Sequence, residues 1–219
     1  MSLATVGGQN STRGELFIPA YGSWTARAYT DNDTKLSGDV AVAIGDLSMS
    51  GAISFGDISG SLGEYLIRGA LAWDNDIECE SYQSDAGSGI RLRTVITDAA
   101  QDAGVALSSI DFPEDVRVGS SWARAAGPAW AALDAIRIFG LAPRWYVSPA
   151  GRTVFAERPT GEIKADARVK RRALALGIRY LHVDAYAPWA PGLSFEGVAI
   201  SYVRFRWTRE DVIVELGSQ

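Results

Sequence analysis

Residues 39–55 read "DVAVAIGDLSMSGAISF", and this stretch decides the fold class. Val40, Val42 and Ile44 alternate with small or polar residues, which is the two-residue period of a strand with one buried face. Gly45-Asp46 then supplies a tight turn. The apolar side resumes after the turn at Leu47, Met49, Ile53 and Phe55. The stretch therefore predicts two antiparallel strands, with Phe55 on the buried face of the second.

The neighbouring stretches repeat this pattern. In "SWTARAYT" (23–30), Trp24, Ala26 and Ala28 share one face, and in "EYLIRGAL" (64–71) Tyr65, Ile67 and Leu71 do so. Several short strands separated by glycine-bearing turns predict a small antiparallel β-barrel over residues 15–73. Residues 1–14 are small, polar and glycine-bearing, so we expect a flexible N-terminal arm that becomes ordered against a partner.

Residues 74–160 predict a helix-containing middle segment. A first helix ends at Gly104, and a second begins at Pro128 and ends at Gly140. The first buries Leu92, Val95, Ile96, Ala99, Ala100 and Ala103; the second buries Ala129, Leu133, Ile136 and Phe139 or Gly140. A β-hairpin follows, with its turn at residues 148–151 between the alternating residues around Trp145 and those around Val154.

Residues 161–219 predict a second small β-barrel. "GEIKADARVKRR" (161–172) is interpreted as a charged connection, and three strands follow in "LGIRYLHVDAY" (176–186), "EGVAISYVRFRWT" (196–208) and "DVIVELG" (211–217). The predicted fold class is α+β, mainly β: two small antiparallel barrels flank a helical segment with a hairpin.

Composition limits the classes of function. The chain has 219 residues, 47% of them hydrophobic, with a net charge of −5, so it is long and apolar enough for a buried core and lacks the basic surface of an ordinary DNA-binding protein. A net negative charge would instead suit a protein that lines a conduit for DNA, because the phosphates would not adhere to it. Cys79 is the only cysteine, which excludes an internal disulfide. No segment matches a signal peptide or a membrane span, so we expect folding in the cytosol without membrane insertion.

His182 is the only histidine of the chain and is a candidate catalytic base. It lies two residues before Asp184 on one predicted strand face, so a histidine–carboxylate contact is geometrically possible. An acyl hydrolase would also need a positioned nucleophile, and the chain has no G-x-S-x-G elbow. We therefore predict no catalytic residues, and a surface or interface role for His182.

The segment 74–80, "DNDIECE", places acidic side chains at alternating positions: Asp74, Asp76, Glu78 and Glu80. An EF-hand loop needs glycine at its sixth position and glutamate at its twelfth, where this chain has Cys79 and Asp85. The segment predicts a polar strand edge or solvated turn. An adventitious ion near Asp74–Glu80 stays open, but neither a metal site nor a cofactor site is predicted.

Two further features are interpreted as structural. Gly87-Ser88-Gly89 lacks the remaining residues of a phosphate-binding loop and predicts the entry to the first helix. The cationic residues of the segment 168–172 predict a solvated face, with contact to an acidic neighbour as the alternative; they are Arg168, Lys170, Arg171 and Arg172.

Seven tryptophans are a high aromatic content. Trp24, Trp145 and Trp207 alternate with polar residues in strands and are predicted in the core. Trp189 lies between prolines in "YAPWAPGL" (186–193), where an exposed aromatic residue could anchor an interface or stack on a sugar ring.

Taken in order, these segments resemble the baseplate hub proteins of bacteriophage tails and related phage-like particles. Residues 22–53, "GSWTARAYTDNDTKLSGDVAVAIGDLSMSGAI", resemble the first barrel of that family. Residues 78–107, "ECESYQSDAGSGIRLRTVITDAAQDAGVAL", resemble the family's tyrosine-bearing stretch and the helix that follows it. The helix and hairpin are similar to "AWAALDAIRIFGLAPRWYVSPAGRTVFAERP" (129–159), and the closing barrel to "APWAPGLSFEGVAISYVRFRW" (187–207).

The resemblance implies a non-enzymatic virion protein of the phage tail tip, assembled in the host cytoplasm. Its two tube-like barrels would form a homotrimeric, pseudo-sixfold ring that joins the sixfold tail tube to a threefold tip. The implied partners are further copies of the chain, a tail-tube or distal tail protein and a tip, spike or fibre protein, with DNA as non-specific cargo in the channel. The alternative from the residues alone is a carbohydrate-binding module of a host-recognition fibre that uses Trp189.

Overall fold

The computed structural model describes residues 3–84, 88–113, 116–140, 144–173 and 176–218. The chain divides into two compact units. Unit 1 contains residues 1–69, 149–151 and 158–219, and unit 2 contains residues 70–148 and 152–157.

The elements of the described residues are mostly short strands. In chain order the strands are β1 (Ala4–Val6), β2 (Gln9–Pro19), β3 (Thr25–Thr30), β4 (Asp39–Ile44), β5 (Leu47–Ser59), β6 (Leu62–Arg68), β7 (Asp76–Ile77), β8 (Glu80–Gln83), β9 (Ile110–Asp111), β10 (Ser121–Arg124), β11 (Gly127–Pro128), β12 (Trp145–Val147), β13 (Thr153–Phe155), β14 (Ala167–Ala173), β15 (Ile178–Val183), β16 (Ser194–Phe195), β17 (Val198–Ala199), β18 (Tyr202–Trp207) and β19 (Val212–Gly217). The α-helices are α1 (Leu92–Ala103) and α2 (Ala129–Ile138), and 3-10 turns cover Leu71–Asp74 and Leu107–Ser109. The predicted α+β, mainly β fold class is confirmed.

Unit 1 is built on one antiparallel sheet of ten strands. Its order is β1-β4-β5-β6-β3-β2-β18-β19-β15-β14, and an additional pairing between β1 and β2 closes the first six strands into a barrel. Strand β2 reaches both neighbours because it is long: Gln9 and Asn10 pair with β1, while residues 14–19 pair with β18. The four strands from the end of the chain thus continue the sheet of the N-terminal barrel.

The N-terminal residues differ from the sequence prediction. Residues 4–6 and 9–14 belong to β1 and β2, rather than to a flexible arm over residues 1–14. Val6 and Ser11 are buried in the barrel. The polar composition of this segment conceals a strand because barrel closure buries only alternate positions and pairs its backbone with two neighbours.

Buried tryptophans pack over glycines in the strands of unit 1. Trp24 is fully buried and covers Gly51, where a Cβ atom would lie 2.6 Å from the indole ring. Trp207 is 2% exposed and covers Gly14 in the same manner. Each glycine therefore leaves room for an indole ring, from directly paired Trp207 at Gly14 and from Trp24, which precedes β3, at Gly51. The predicted core positions of Trp24 and Trp207 are confirmed.

Strand β5 contains a bulge that changes which face its side chains occupy. Ile53 pairs with Ile67, but Phe55 pairs with Leu66, so the register shifts by one residue between them. A shift of one residue moves every later side chain to the opposite face of the sheet. Phe55 is consequently 52% exposed, and the prediction that it faces the core is wrong.

Unit 2 has its own core around α1 and α2. All six residues predicted to be buried by α1 are buried, and Gly104 ends this helix with a φ of 76°. In α2, Ala129, Leu133 and Ile136 are buried, whereas Phe139 follows the last helical residue and is 68% exposed. The alternative end of that stripe, Gly140, has a φ of 68° and is exposed.

The predicted hairpin forms in unit 2. β12 pairs with β13, and β9 adds a parallel strand beside β13. The buried indole of Trp145 donates a hydrogen bond of 3.1 Å to Asp134 Oδ1, and that of Trp73 donates one of 2.8 Å to Thr153 Oγ1. Trp145 is therefore a core residue, as predicted.

Candidate functional surface

One face of the unit 1 sheet carries alternating cationic and anionic side chains. Directly paired residues lie on the same face of a sheet, so the register can be followed from strand to strand. One such row runs from Leu66 through Arg27 and Glu15 to Arg206. We refer to this as the outer face, because the opposite face holds the buried residues Ala26, Leu16 and Phe205.

Ion pairs connect neighbouring strands across the outer face. Arg27 Nη2 lies 2.5 Å from Glu64 Oε1, and Arg206 Nε lies 2.9 Å from Glu15 Oε2. The hydrogen bond from Arg27 lowers the pKa of the Glu64 carboxyl from its ordinary value. These pairs neutralise charge between β3 and β6 and between β18 and β2.

Glu215 is the most buried acid of this face. Only 3% of the residue is exposed, and its carboxylate accepts hydrogen bonds of 3.0 Å from Tyr202 Oη and 3.3 Å from Arg204 Nη1. Burial and the hydrogen bond to Glu215 raise the pKa of Tyr202. The Arg204 guanidinium also lies 5.1 Å from the centre of the Phe17 ring. The Glu215 cluster is a structural network that fixes adjacent strands.

His182 contacts a carboxylate, but not the predicted one. Its Nδ1 lies 3.1 Å from Asp211 Oδ1, and Lys170 Nζ lies 3.8 Å from Asp211 Oδ2. Asp184 follows the end of β15. Among the residues that the structure describes, no hydrogen bond joins His182 to a serine or cysteine, so the hydrolase alternative gains no nucleophile there. The pairing with Asp211 is long-range, between β15 and the turn before β19, and sequence spacing does not encode it.

Trp189 does not lie on the surface. It is 1% exposed, its Nε1 donates a hydrogen bond of 2.9 Å to the Ala185 carbonyl, and its ring packs 5.1 Å from that of Phe195. The expectation of an exposed interface anchor is corrected: the loop folds back and satisfies the indole internally. The prolines on either side indicate an irregular loop, but they do not determine whether its aromatic residue points outward.

The acidic segment 74–80 forms a 3-10 turn and the short strands β7 and β8. In the described parts of the chain, no group of three or more His, Cys, Asp or Glu side chains could hold a metal ion. Asp85 and Gly87, which entered the comparisons with calcium and phosphate loops, lie outside the described residues. Ser88 and Gly89 precede α1, as the sequence predicts for this loop.

The cationic segment is a strand rather than a connection. Residues 167–173 form β14, the last strand of the large sheet, and their cations are exposed. The period of two is concealed because a bulge interrupts β14 between Val169 and Arg171. Arg172 forms an ion pair of 3.1 Å with Glu196, and Arg171 lies 6.0 Å from the Tyr180 ring.

The closed barrel and the continuous sheet belong to a fold that is shared with phage-tail and related tail-like proteins. Over 97% of its length, this chain is similar in structure to the c3393 protein of E. coli, a component of the type VI secretion system. The c3393 protein itself shows structural similarity to the T4 bacteriophage tail proteins gp27 and gp5. The similarity between this chain and c3393 covers 75% of the c3393 chain, with 9% identity and a TM-score of 0.63.

A second similar structure is the 43 kDa tail protein of prophage MuSo2 from Shewanella oneidensis. It matches over 99% of this chain and 95% of its own, with 10% identity and a TM-score of 0.61. The prophage tail protein gp18 of Listeria monocytogenes matches over 94% and 88%, with 9% identity and a TM-score of 0.48. No family model and no curated protein matches the sequence. The resemblance read from the residues is therefore confirmed by fold.

No helix among the described residues is long and apolar enough to cross a membrane.

Proposed function

We propose that this chain is a structural protein of a phage tail tip. In the proposal it forms a homotrimeric, pseudo-sixfold hub ring that adapts the sixfold tail tube to a threefold tip and lines the DNA channel. The observation that carries the proposal is the fold similarity, which spans nearly the whole chain and nearly the whole of a prophage tail protein.

The arrangement of unit 1 supports a ring-building role. Both ends of the chain contribute strands to one sheet, so a single copy presents two consecutive blocks of four strands: β5-β6-β3-β2 and β18-β19-β15-β14. Two comparable blocks in each subunit are what three subunits need to meet six positions of a tube. The partners in this proposal are the tube or distal tail protein on one side and a tip, spike or fibre protein on the other.

Charge supports a channel through which nucleic acid passes without adhering. The chain has a net charge of −5, and the outer-face cations Arg27 and Arg206 are paired with carboxylates. Paired cations offer phosphates less attraction than unpaired ones, and a net negative protein repels them. DNA is then a transient cargo and not a ligand.

In this proposal the chain has no enzymatic activity, is assembled in the host cytoplasm and acts in the virion. The carbohydrate-binding alternative loses its principal residue, because Trp189 is buried. Trp24, Trp145 and Trp207 are buried too, so none of them offers a free ring face to a sugar.

The proposal is tested by imaging. Particles carrying an affinity label on this chain would be examined by electron cryomicroscopy, with unlabelled particles as the control. We expect label density only where the tube meets the tip, with threefold symmetry about the tail axis. Label along the tube, on fibres or absent from purified particles would contradict the proposed role.

A further inference from the structure

The sheet of unit 1 has two open edges among the described residues. One is β14, which pairs with β15 on one side only. The other is the second half of β5. Strand β4 pairs with β5 as far as Ala52, and the Ile53 N–H then donates a hydrogen bond of 3.0 Å to the Gly38 carbonyl. Beyond that point, residues 55–59 pair only with β6. Open edges present unpaired backbone groups that another strand can bind.

The directions of the strands make these two edges compatible. From β5 to β14 the sheet has eight strands, in the order β5-β6-β3-β2-β18-β19-β15-β14, and each neighbouring pair is antiparallel. Because eight is even, β5 and β14 run in opposite directions. If a second copy is placed beside the first in the same orientation, β14 of one meets β5 of the other as an antiparallel neighbour. The sheet can then continue from copy to copy without a reversal.

The side chains of the two edges are complementary. Arg171 belongs to the outer face because it pairs with Tyr180, which pairs with Glu215. Phe55 belongs to the same face through Leu66, and Asp57 is two residues further along the same strand. In a joined sheet, cations of β14 would therefore stand beside a carboxylate and an aromatic ring on one face.

The composition of each edge also selects the partner. Arg168, Lys170, Arg171 and Arg172 are exposed on β14, so two β14 strands placed side by side would repel each other. The β5 edge has no cation between residues 53 and 59, and its Asp57 is exposed. One Asp57 oxygen accepts a hydrogen bond of 2.9 Å from the Ile58 N–H, which holds the carboxylate on that edge.

We infer that β14 of one copy binds residues 55–59 of β5 in a second copy of this chain, in a head-to-tail interface that extends the sheet. Such an interface uses two different patches, so it closes into a ring when the rotation between copies allows. The inference rests on the proposed hub role for its biological setting and names the surfaces by which that ring would be built. The bulge exposes Phe55 at one side of the joint.

Disulfide trapping tests the contact directly. In a Cys79→Ser background, Asp57→Cys and Arg171→Cys would be combined in the full chain, concentrated and exposed to a mild oxidant. We expect covalent multimers on non-reducing electrophoresis, because each copy offers both halves of the joint. Each single-cysteine variant should remain uncross-linked. A matched control pairs Asp57→Cys with Ser48→Cys, which lies on the exposed face of β5 where that strand is already paired.

Charge exchange provides a second measurement that does not depend on cysteines. Sedimentation velocity would compare Asp57→Arg, Arg171→Glu and an equimolar mixture of the two variants. Each variant alone should associate roughly two- to fivefold more weakly than the wild type, the range for one exposed ion pair. The mixture should recover part of the loss, since each joint between unlike variants can again place opposite charges together.

Absence of multimers from the Asp57–Arg171 pair, or equal cross-linking by the Asp57–Ser48 control, would overturn the inference. These failures differ from failure of the hub role. A labelled threefold ring at the tail tip without this cross-link would keep the proposed function and discard the interface. Specific cross-linking by a chain that particle images place elsewhere would do the opposite.

Discussion

Two buried tryptophans of unit 1, Trp24 and Trp207, allow a test of how a buried indole N–H contributes to the stability of the sheet. Trp207 Nε1 donates a hydrogen bond of 2.9 Å to the buried Ser11 hydroxyl. Trp24 Nε1 is equally buried and has no acceptor among the described residues. Replacement of each by phenylalanine removes similar apolar area, so the two variants differ mainly in the hydrogen bond.

The expected free-energy changes follow from these contacts. Loss of indole packing costs about 1–2 kcal/mol at either site. Trp207→Phe also loses a hydrogen bond worth about 1 kcal/mol, which gives a total of about 2–3 kcal/mol. Trp24→Phe removes a buried unpaired donor, and the relief of about 1–3 kcal/mol offsets the packing loss. We therefore expect Trp207→Phe to be less stable than Trp24→Phe by about 2–4 kcal/mol, the sum of the lost hydrogen bond and the relieved unpaired donor.

Guanidinium titration followed by far-ultraviolet circular dichroism measures this difference. Trp130→Phe serves as the control, because Trp130 is partly exposed on α2 and its replacement should change stability by less than about 0.5 kcal/mol. Equal destabilisation by Trp24→Phe and Trp207→Phe, or a larger cost at Trp24, would refute the reasoning.

Three further predictions follow from single sites. Gly51→Ala should destabilise the barrel by about 1–3 kcal/mol, since the new Cβ would lie 2.5 Å from the Arg68 carbonyl and against the Trp24 ring; thermal unfolding measures this, and an unchanged midpoint would contradict it. Burial raises the pKa of Tyr82 to about 12, so its contribution to stability is complete below the ordinary value of 10.0 and is lost as pH rises toward 12; in an absorbance titration, Tyr82→Phe should remove one tyrosine from the late-ionising group, and an unchanged titration curve would contradict this. The pKa of Glu64 is lowered by Arg27, so its contribution is complete above the ordinary value of 4.5 and lost as pH falls further; Glu64→Gln should flatten the acid limb of the stability curve, and parallel curves would contradict the pairing.

Local periodicity was sufficient to predict most elements. The alternation in residues 39–55 places β4, the Gly45-Asp46 turn and the start of β5 correctly. The three- and four-residue spacing of α1 identifies its buried side chains, because the helical period alone selects one face. The glycine after each helix likewise has the positive φ that a helix end favours.

Two of the errors occur where a β-bulge changes the period. A bulge in β5 turns Phe55 outward, and another in β14 conceals an edge strand within a run of cations. Trp189 is buried by a loop that folds back on itself, although its flanking prolines are compatible with either orientation. Neither bulge can be recognised by counting alternate residues, because the pattern on each side of it is regular.

The sequence by itself determined the mainly β class, the helices, most turns and the net negative charge. Only the tertiary structure decided that β1 and β2 close the first barrel and that β2 joins β18 of the opposite end of the chain. It also decided which edges of the sheet stay open. The physical reason is that side-chain periodicity shows which face of a strand is buried, whereas the choice of neighbour depends on backbone hydrogen bonds between residues almost two hundred positions apart.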